Sequence, residues 1–441
     1  MRALAKTLAR AGSGVARTPV VEGRLRDVVG LVLEAGGCTA AVGDSVELRP
    51  AGRAPLRAEV VGLRDDRLLC MPLGPVTGLD AGTPLRPLGG AAMVPVGDAL
   101  IGRVVDGLGR PLDGRPAPVL DRRRPLDGAP AHPLARRPVD TAFPVGVRAI
   151  DGLLTLGEGQ RIGIFAGGGV GKSTLLAMMV RRAAADVCVV GLVGERGREV
   201  EELVHETLGR EGLSRAVVVA ATSAEPPLLR ARAALYATTV AEHFRDQGKR
   251  VLLVMDSVTR FAMALREIGL AVGEPPATKG YPPSVFAALP RLLERAGTAE
   301  GEGAITAVYT VLVEGDDLAD PISDAARAIR DGHVVLRREL AEKGHFPALD
   351  VAASVSRVFP RVASEPQRAL AARARELLAA ERELDDLRAI GAYVPGSLPR
   401  LDEAAERGPA LAAFLRQGTE APAADLEATV ASLGAVFGGA A

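Results

Sequence analysis

Residues 161–185 read RIGIFAGGGVGKSTLLAMMVRRAAA, and they leave the backbone little choice. The run Arg161–Ala166 has the composition of a buried strand, and Lys172–Ala185 that of a helix. Between them Ala166–Leu176, AGGGVGKSTLL, fits [AG]-x4-G-K-[ST], with Ala166 where the stricter pattern has Gly. Glycines at this density let backbone N–H groups turn inward around phosphate, and the N-terminus of the following helix adds its partial positive charge. Gly167, Gly168, Gly169, Val170, Gly171, Lys172, Ser173 and Thr174 are therefore the expected phosphate-binding residues. Lys172 is expected to reach the β- and γ-phosphates of a nucleoside triphosphate and Ser173 to ligate Mg2+. A coincidental glycine-rich turn would not bring strand, loop, Lys-Ser pair and helix in that order.

Such a loop belongs at the carboxyl edge of a parallel sheet, and the surrounding pattern supplies one. From about Val139 to Val362 the apolar runs RIGIFA, DVCVVGLVG, RAVVVAAT, RVLLVMDS and ITAVYTVLV alternate with helical stretches, which predicts a parallel sheet covered by helices. RVLLVMDS ends in Asp256, the form of a strand that delivers a carboxylate to the Mg2+ shell. Glu195, in GLVGERGREVEE, follows a strand and a glycine. There it suits a base that polarises water, with Arg196 beside the γ-phosphate, although the spacing alone equally fits a charged loop without catalytic duty.

At 441 residues with 48% hydrophobic content the chain has room for two or three domains. Residues 1–18 place Arg2, Lys6 and Arg10 at four-residue spacing around Leu4 and Leu8, a basic segment compatible with either a frayed terminus or a partner-binding helix. Short β-rich runs between Gly, Pro and Asp turns over 19–93 predict a small β-barrel. Residues 94–138 are rich in Gly, Pro and Arg and are expected to form a linker without regular structure. The P-loop domain is expected over 139–365 and a helical C-terminal domain over 366–441. Within the latter, Leu370, Leu377 and Leu384 recur every seven residues with Ala374, Leu378 and Leu387 on the same face, a stripe suited to packing onto its own domain.

Lys+Arg and Asp+Glu both number 54, and this balance argues against a general nucleic-acid binder. Cys38, Cys70 and Cys188 are far apart and apolar in setting, suggesting neither a disulfide framework nor a zinc site and fitting a reducing cytoplasm. No apolar run of membrane-spanning length and no secretory leader is read from the sequence.

Taken together, AGGGVGKSTLL, GLVGERGREVEE, VLLVMDSVTRFA, GYPPSVFAALPRLLERAG, TVLVEGDDLADPISDAARAI and ASVSRVFP resemble the catalytic ATPases of type III protein export, relatives of the rotary ATP synthase β subunit. The resemblance runs from about Val20 to Gln417. FAMALREIGLAVGEPPATKGYPPSVF and TSAEPPLLRARAALYATT look more like the flagellar branch than the non-flagellar one. It implies an α/β fold: a RecA-like P-loop parallel-sheet core with a small N-terminal β-barrel and a C-terminal helical domain. Glu195 then matches the glutamate that activates water, Arg196 the arginine after it, and Arg260 an arginine near the γ-phosphate. Phe346, where the family usually has Tyr, is implied to stack on adenine, since it keeps the π-face. Arg357 matches an arginine finger supplied to the ATP of the neighbouring subunit.

Two departures stand out: Gly168 where relatives commonly carry Ser or Ala, and Arg330 where Leu is usual. The implied activity is Mg-ATP hydrolysis by a homohexamer that drives protein export. Its implied partners are a regulatory stator-like protein at the N-terminus, a central stalk protein, export substrates, chaperones and the membrane export gate, with no nucleic acid. The implied location is the cytoplasm, at the periphery of the inner membrane. A non-catalytic α-like subunit is opposed by the carboxylate at 195. An RNA-driven translocase is opposed by zero net charge and 3% aromatics. An ATP synthase β subunit is opposed by the shorter helical tail.

Overall fold

The computed structural model describes residues 21–313, 321–328, 331–422 and 424–438. The basic segment 1–18 and Arg330 lie outside the described residues, as do 314–320 of the LVEGDDLAD motif. Contacts divide the chain into two compact units, Met1–Ala92 and Met93–Ala441.

The first unit contains β1 (Gly23–Val29), β2 (Val32–Gly36), β3 (Asp44–Leu48), β4 (Leu56–Arg64), β5 (Arg67–Pro72) and β6 (Pro84–Ala91). They close into an antiparallel barrel of order β1-β2-β5-β4-β3-β6. Alternation in DSVEL and LRAEVVGLR turns Val46 and Leu48, and Ala58 and Val60, to the inside, where they meet Leu25, Leu33, Cys70 and Leu85. Strands β4 and β5 pair out to Arg64 and Arg67, leaving Asp65 and Asp66 as a two-residue turn with φ of 45° and 56°. Two successive left-handed residues match the twist of a hairpin, and Asp tolerates that conformation better than most side chains.

The second unit is built on a nine-stranded sheet. Its strands are β8 (Arg103–Val105), β10 (Arg161–Ala166), β11 (Val187–Glu195), β12 (Ala216–Thr222), β13 (Arg250–Asp256), β14 (Gly297–Thr298), β15 (Ala304–Leu312), β16 (Gly332–Val335) and β17 (Val355–Ser356). The order is β17-β16-β10-β15-β13-β11-β12-β8, with β14 beside β15. The central strands run parallel and are buried on both faces, which is why they read as unbroken apolar runs.

The stretch 94–138 departs from the unstructured linker expected of it. β8 joins the sheet in parallel beside β12, and β7 (Met93–Val96) pairs with β9 (Arg122–Pro125) as a two-stranded ribbon. Three- and four-residue strands between Gly and Pro turns have no periodicity for a sequence reading to detect. What holds β8 is burial of Val104 and Val105 together with Arg103, whose guanidinium bonds Asp113 Oδ2 at 2.6 Å and the Pro116 carbonyl at 2.8 Å. Arg295, also buried, clamps the chain after β9. It donates to the Leu126 carbonyl at 2.9 Å and pairs with the buried Glu242 at 2.7 and 2.8 Å.

The helix Glu365–Ala389 begins at Ser364, whose hydroxyl accepts from the Gln367 N–H, and carries the heptad stripe. Ala374, Leu377 and Leu384 are buried in the core of this unit, with Leu370, Leu378 and Leu387 packed against it. The stripe thus faces its own unit. The helices Pro399–Leu415 and Leu426–Val436 complete the layer.

Candidate active site

Because the central strands are parallel, their carboxyl ends lie along one edge, where open α/β sheets bind ligands. Strand β10 feeds the phosphate loop, β11 ends at Glu195, β13 ends at Asp256 and β15 ends at Leu312. They border a cleft of about 510 Å³ lined by Gly167, Gly168, Gly169, Gly171, Lys172, Ser173, Thr174, Glu195, Arg196, Glu199, Arg260 and Leu312, among others.

The loop turns through Gly169 and Gly171, with φ of 77° and 84°. Gly171 caps the helix Lys172–Arg182, and no side chain caps its first turn. Uncapped N–H groups at a helix start attract an anion. Gly168 lies outside the left-handed region, and a β-carbon there would meet nothing within 4 Å. The departure from Ser or Ala at this position therefore leaves the loop's course unchanged.

Lys172 donates to Asp256 Oδ1, and its Nζ lies 3.9 Å from Glu195 Oε1. Thr310, on β15, donates to Asp256 Oδ1 at 2.7 Å, so the carboxylate is held from two sides. Glu195 is 7% exposed, and its Oε1 has no hydrogen-bond partner. Burial pushes its carboxyl up to about 7, Lys172 opposes the rise, and the nearby Asp256 and Glu199 carboxyls add to it. A carboxyl poised near neutrality beside an open cleft has the character of a general base.

Arg260 packs its stem on Gly194, where a β-carbon would lie 3.1 Å from Arg260 Cβ, and its buried Nε has no partner. Arg196 is largely exposed at the cleft, 3.8 Å from Glu199. Phe346, 46% exposed, lays its ring against the same loop: a β-carbon on Gly171 would sit 3.3 Å from Phe346 Cδ1. Arg357 is exposed just beyond β17, at the opposite edge of the sheet from β8, and is absent from the cleft lining. The structure therefore gathers Lys172, Ser173, Glu195, Arg196 and Arg260 in the lining of one cleft, with Asp256 paired to Lys172 behind it and Phe346 on the flank of its loop, and leaves Arg357 outside.

Thr310 and Glu199 belong to this cluster and were not read from the sequence. A threonine near the end of the apolar run ITAVYTVLV, level with a strand that ends in Asp, is the signal that marks the first. Glu199 lies four residues after Glu195, within one charged run that offers no way to rank its members.

Among the described residues no group of three or more His, Cys, Asp and Glu side chains stands ready to hold a metal. The Ser173 hydroxyl and the Asp256 carboxylate form an all-oxygen pair suited to Mg2+, which completes its shell with water and phosphate oxygens. The uncapped helix start and the unpartnered Glu195 Oε1 fit a phosphate and a water in the same cleft.

Residues 146–356 match the model of the ATP synthase alpha/beta family, nucleotide-binding domain, and 26–89 its beta-barrel domain. Residues 363–435 match the T3SS EscN ATPase C-terminal domain. The flagellum-specific ATP synthase of Pseudomonas aeruginosa is 52% identical over 91% of this chain and 90% of its own. The chain belongs to the ATP synthase alpha/beta family. The type 3 secretion system ATPase of Xanthomonas euvesicatoria is 50% identical over 90% of each chain. In solved form, the assembled ATPase EscN in complex with its central stalk EscO, from enteropathogenic E. coli, superposes with a TM-score of 0.87. It is 46% identical and covers 94% of this chain and 99% of that one. By family and by phosphate loop the chain is a P-loop ATPase, of the branch that contains the flagellum-specific and type 3 secretion members. Among the described residues no helix is long and apolar enough to cross a membrane.

Proposed function

We propose that this chain is a Mg-ATP hydrolase that energises type III export of flagellar proteins, as a homohexamer whose sites are completed at subunit boundaries. The observation that carries the reading is the buried Glu195 carboxyl, with its free Oε1, 3.9 Å from the phosphate-loop lysine.

Phosphate oxygens of ATP enter at the uncapped helix start and take the Lys172 ammonium from Asp256. Ser173 and Asp256 are the residues that would hold Mg2+, which would supply positive charge against the β- and γ-phosphates. Glu195, ionised above its midpoint near pH 7, accepts a proton from water as the water oxygen bonds to the γ-phosphorus and the bond to the ADP oxygen breaks. Arg260 and Arg196 offset the charge that develops on the transferred group, and Phe346 stacks on the adenine. Arg357 reaches the ATP of the neighbouring subunit, consistent with its place outside its own cleft.

In this reading the basic N-terminal segment takes the stator-like regulator. The C-terminal helical region faces the central stalk, chaperones and export substrates. The protein works in the cytoplasm at the periphery of the inner membrane, against the export gate. A non-flagellar type III secretion ATPase is the second reading, favoured by the Xanthomonas relative at 50% identity and by the EscN C-terminal match.

A Glu195→Gln variant tests the catalytic assignment: it is expected to bind ATP like the parent and to hydrolyse none. Hydrolysis at the parental rate would remove Glu195 from the mechanism. Restoration of motility to a strain lacking its flagellar ATPase, with no restoration of a secretion-defective strain, distinguishes the two branches.

A further inference from the structure

Gln417 follows the helix Pro399–Leu415 and is 6% exposed, and three of its polar groups are engaged at once. Its backbone N–H donates to the Phe346 carbonyl at 2.9 Å. Its side-chain Oε1 accepts from the Arg148 N–H at 2.8 Å, and Nε2 donates to the Gly146 carbonyl at 3.0 Å. Arg148 opens the helix Arg148–Leu153, whose cap residue Val147 supplies no side-chain bond, so Gln417 satisfies one of that helix's free N–H groups from a distance of 269 residues along the chain.

Gly146 is itself wedged. It has φ of 73°, and a β-carbon there would lie 2.3 Å from Arg182 Cβ, at the far end of the phosphate-loop helix. The guanidinium of Arg148 returns the link by donating to the Arg416 carbonyl. Phe346 is thus held at two points, its ring beside Gly171 and its backbone carbonyl by Gln417. Both grips lead to the ends of one helix, Lys172–Arg182.

Resting on the reading of Phe346 as the adenine platform, we infer that Gln417 is a positioning residue of the base subsite. It fixes Phe346 relative to the phosphate loop and so sets affinity for the base without touching phosphate or the reacting atoms. The side-chain amide suits this task because one end must accept and the other donate. A carboxylate would face the Gly146 carbonyl without a proton to give.

The test is steady-state hydrolysis by the full chain with Gln417→Ala, Phe346→Ala and the double variant, alongside competition by inorganic tripolyphosphate, which has no base. Gln417→Ala is expected to raise KM for ATP roughly five- to thirtyfold, the size of a lost buried hydrogen-bond network, with kcat within about twofold. Tripolyphosphate inhibition should stay at the parental level. In the double variant KM should equal that of Phe346→Ala alone, since the two residues act on one contact.

Gln417→Glu, which keeps an acceptor but sets a carboxylate against the Gly146 carbonyl, is expected to raise KM at least as far as Gln417→Ala. It provides a second variant if the alanine protein melts. Multiplicative KM effects in the double variant, or a parallel loss of tripolyphosphate binding, would overturn the role of Gln417. An unchanged KM for Phe346→Ala would instead remove the platform reading beneath it.

Discussion

Glu195 carries two opposite pH dependences. If Glu195 is the base proposed above, kcat/KM for ATP is expected to rise with pH through a midpoint near 7, where burial has placed the group in the free site. Stability runs the other way. Its folded value lies above the ordinary 4.5, so the folded protein keeps a proton that the unfolded chain has released. That contribution is fully present below 4.5 and is lost as pH climbs through about 7, at a cost on the order of 3 kcal/mol. Glu195→Gln should therefore melt at higher temperature than the parent at pH 8, with the difference shrinking as pH falls toward 5, as calorimetry at the two values would show. The glycines of the loop offer a second contrast. Gly171→Ala forces φ of 84° on a side chain and pushes a methyl into Phe346, so about 1–3 kcal/mol and a raised KM for ATP are expected. Gly168→Ala meets open space, and its melting temperature and KM should match the parent's. Lys172, Ser173 and Asp256 were legible because each sits at a fixed offset within a strand-and-turn motif. Glu195 could be read from its place after a strand and a glycine either as a base or as part of a charged loop, and the resemblance chose between them, whereas Arg260 took a role only through the resemblance. Thr310 and Gln417 were not legible, since what they do depends on which distant backbone groups the fold brings to them.

At the scale of elements, legibility followed length and pattern. The five apolar runs became β10, β11, β12, β13 and β15 because a strand buried on both faces must be apolar throughout. β8 escaped notice because three residues leave no pattern, and its place is secured by an arginine, the residue type that argues against burial until its carboxylate partner is found. The heptad stripe on Glu365–Ala389 fixed which face is buried. Leu384, 1% exposed, should cost about 2–5 kcal/mol when cut to Ala, measurable as a lower urea midpoint. The Arg295–Glu242 pair is a sharper test of how the chain after β9 is held. Arg295→Ala leaves Glu242 charged and buried, with an expected loss of about 3–5 kcal/mol. Arg295→Ala combined with Glu242→Ala should recover part of that loss. Equal destabilisation by the single and double variants would show that the Leu126 contact, rather than the pair, holds the segment.

At the scale of the molecule, the cleft and the residues packed directly against it include every predicted site residue except Arg357. If copies complete one another, specific activity should rise with protein concentration in the parent. Arg357→Ala should flatten that rise and lower the assembled rate by roughly 10^3-fold or more, with ATP binding retained, as a dilution series read by phosphate release would reveal. A rise that survives in Arg357→Ala would separate assembly from the finger. The way strands are terminated bears on how such copies can meet. The barrel of the first unit closes β1 onto β6, and the sheet of the second ends in β17 and β8, strands of two and three residues. The barrel and the nine-stranded sheet therefore end in only short ladders of free N–H and C=O groups on which an extended peptide could add itself as another strand, and the separate β7–β9 ribbon has four residues a strand. If unfolded export substrates are the cargo, as proposed above, these clipped edges give such chains little backbone template to nucleate on.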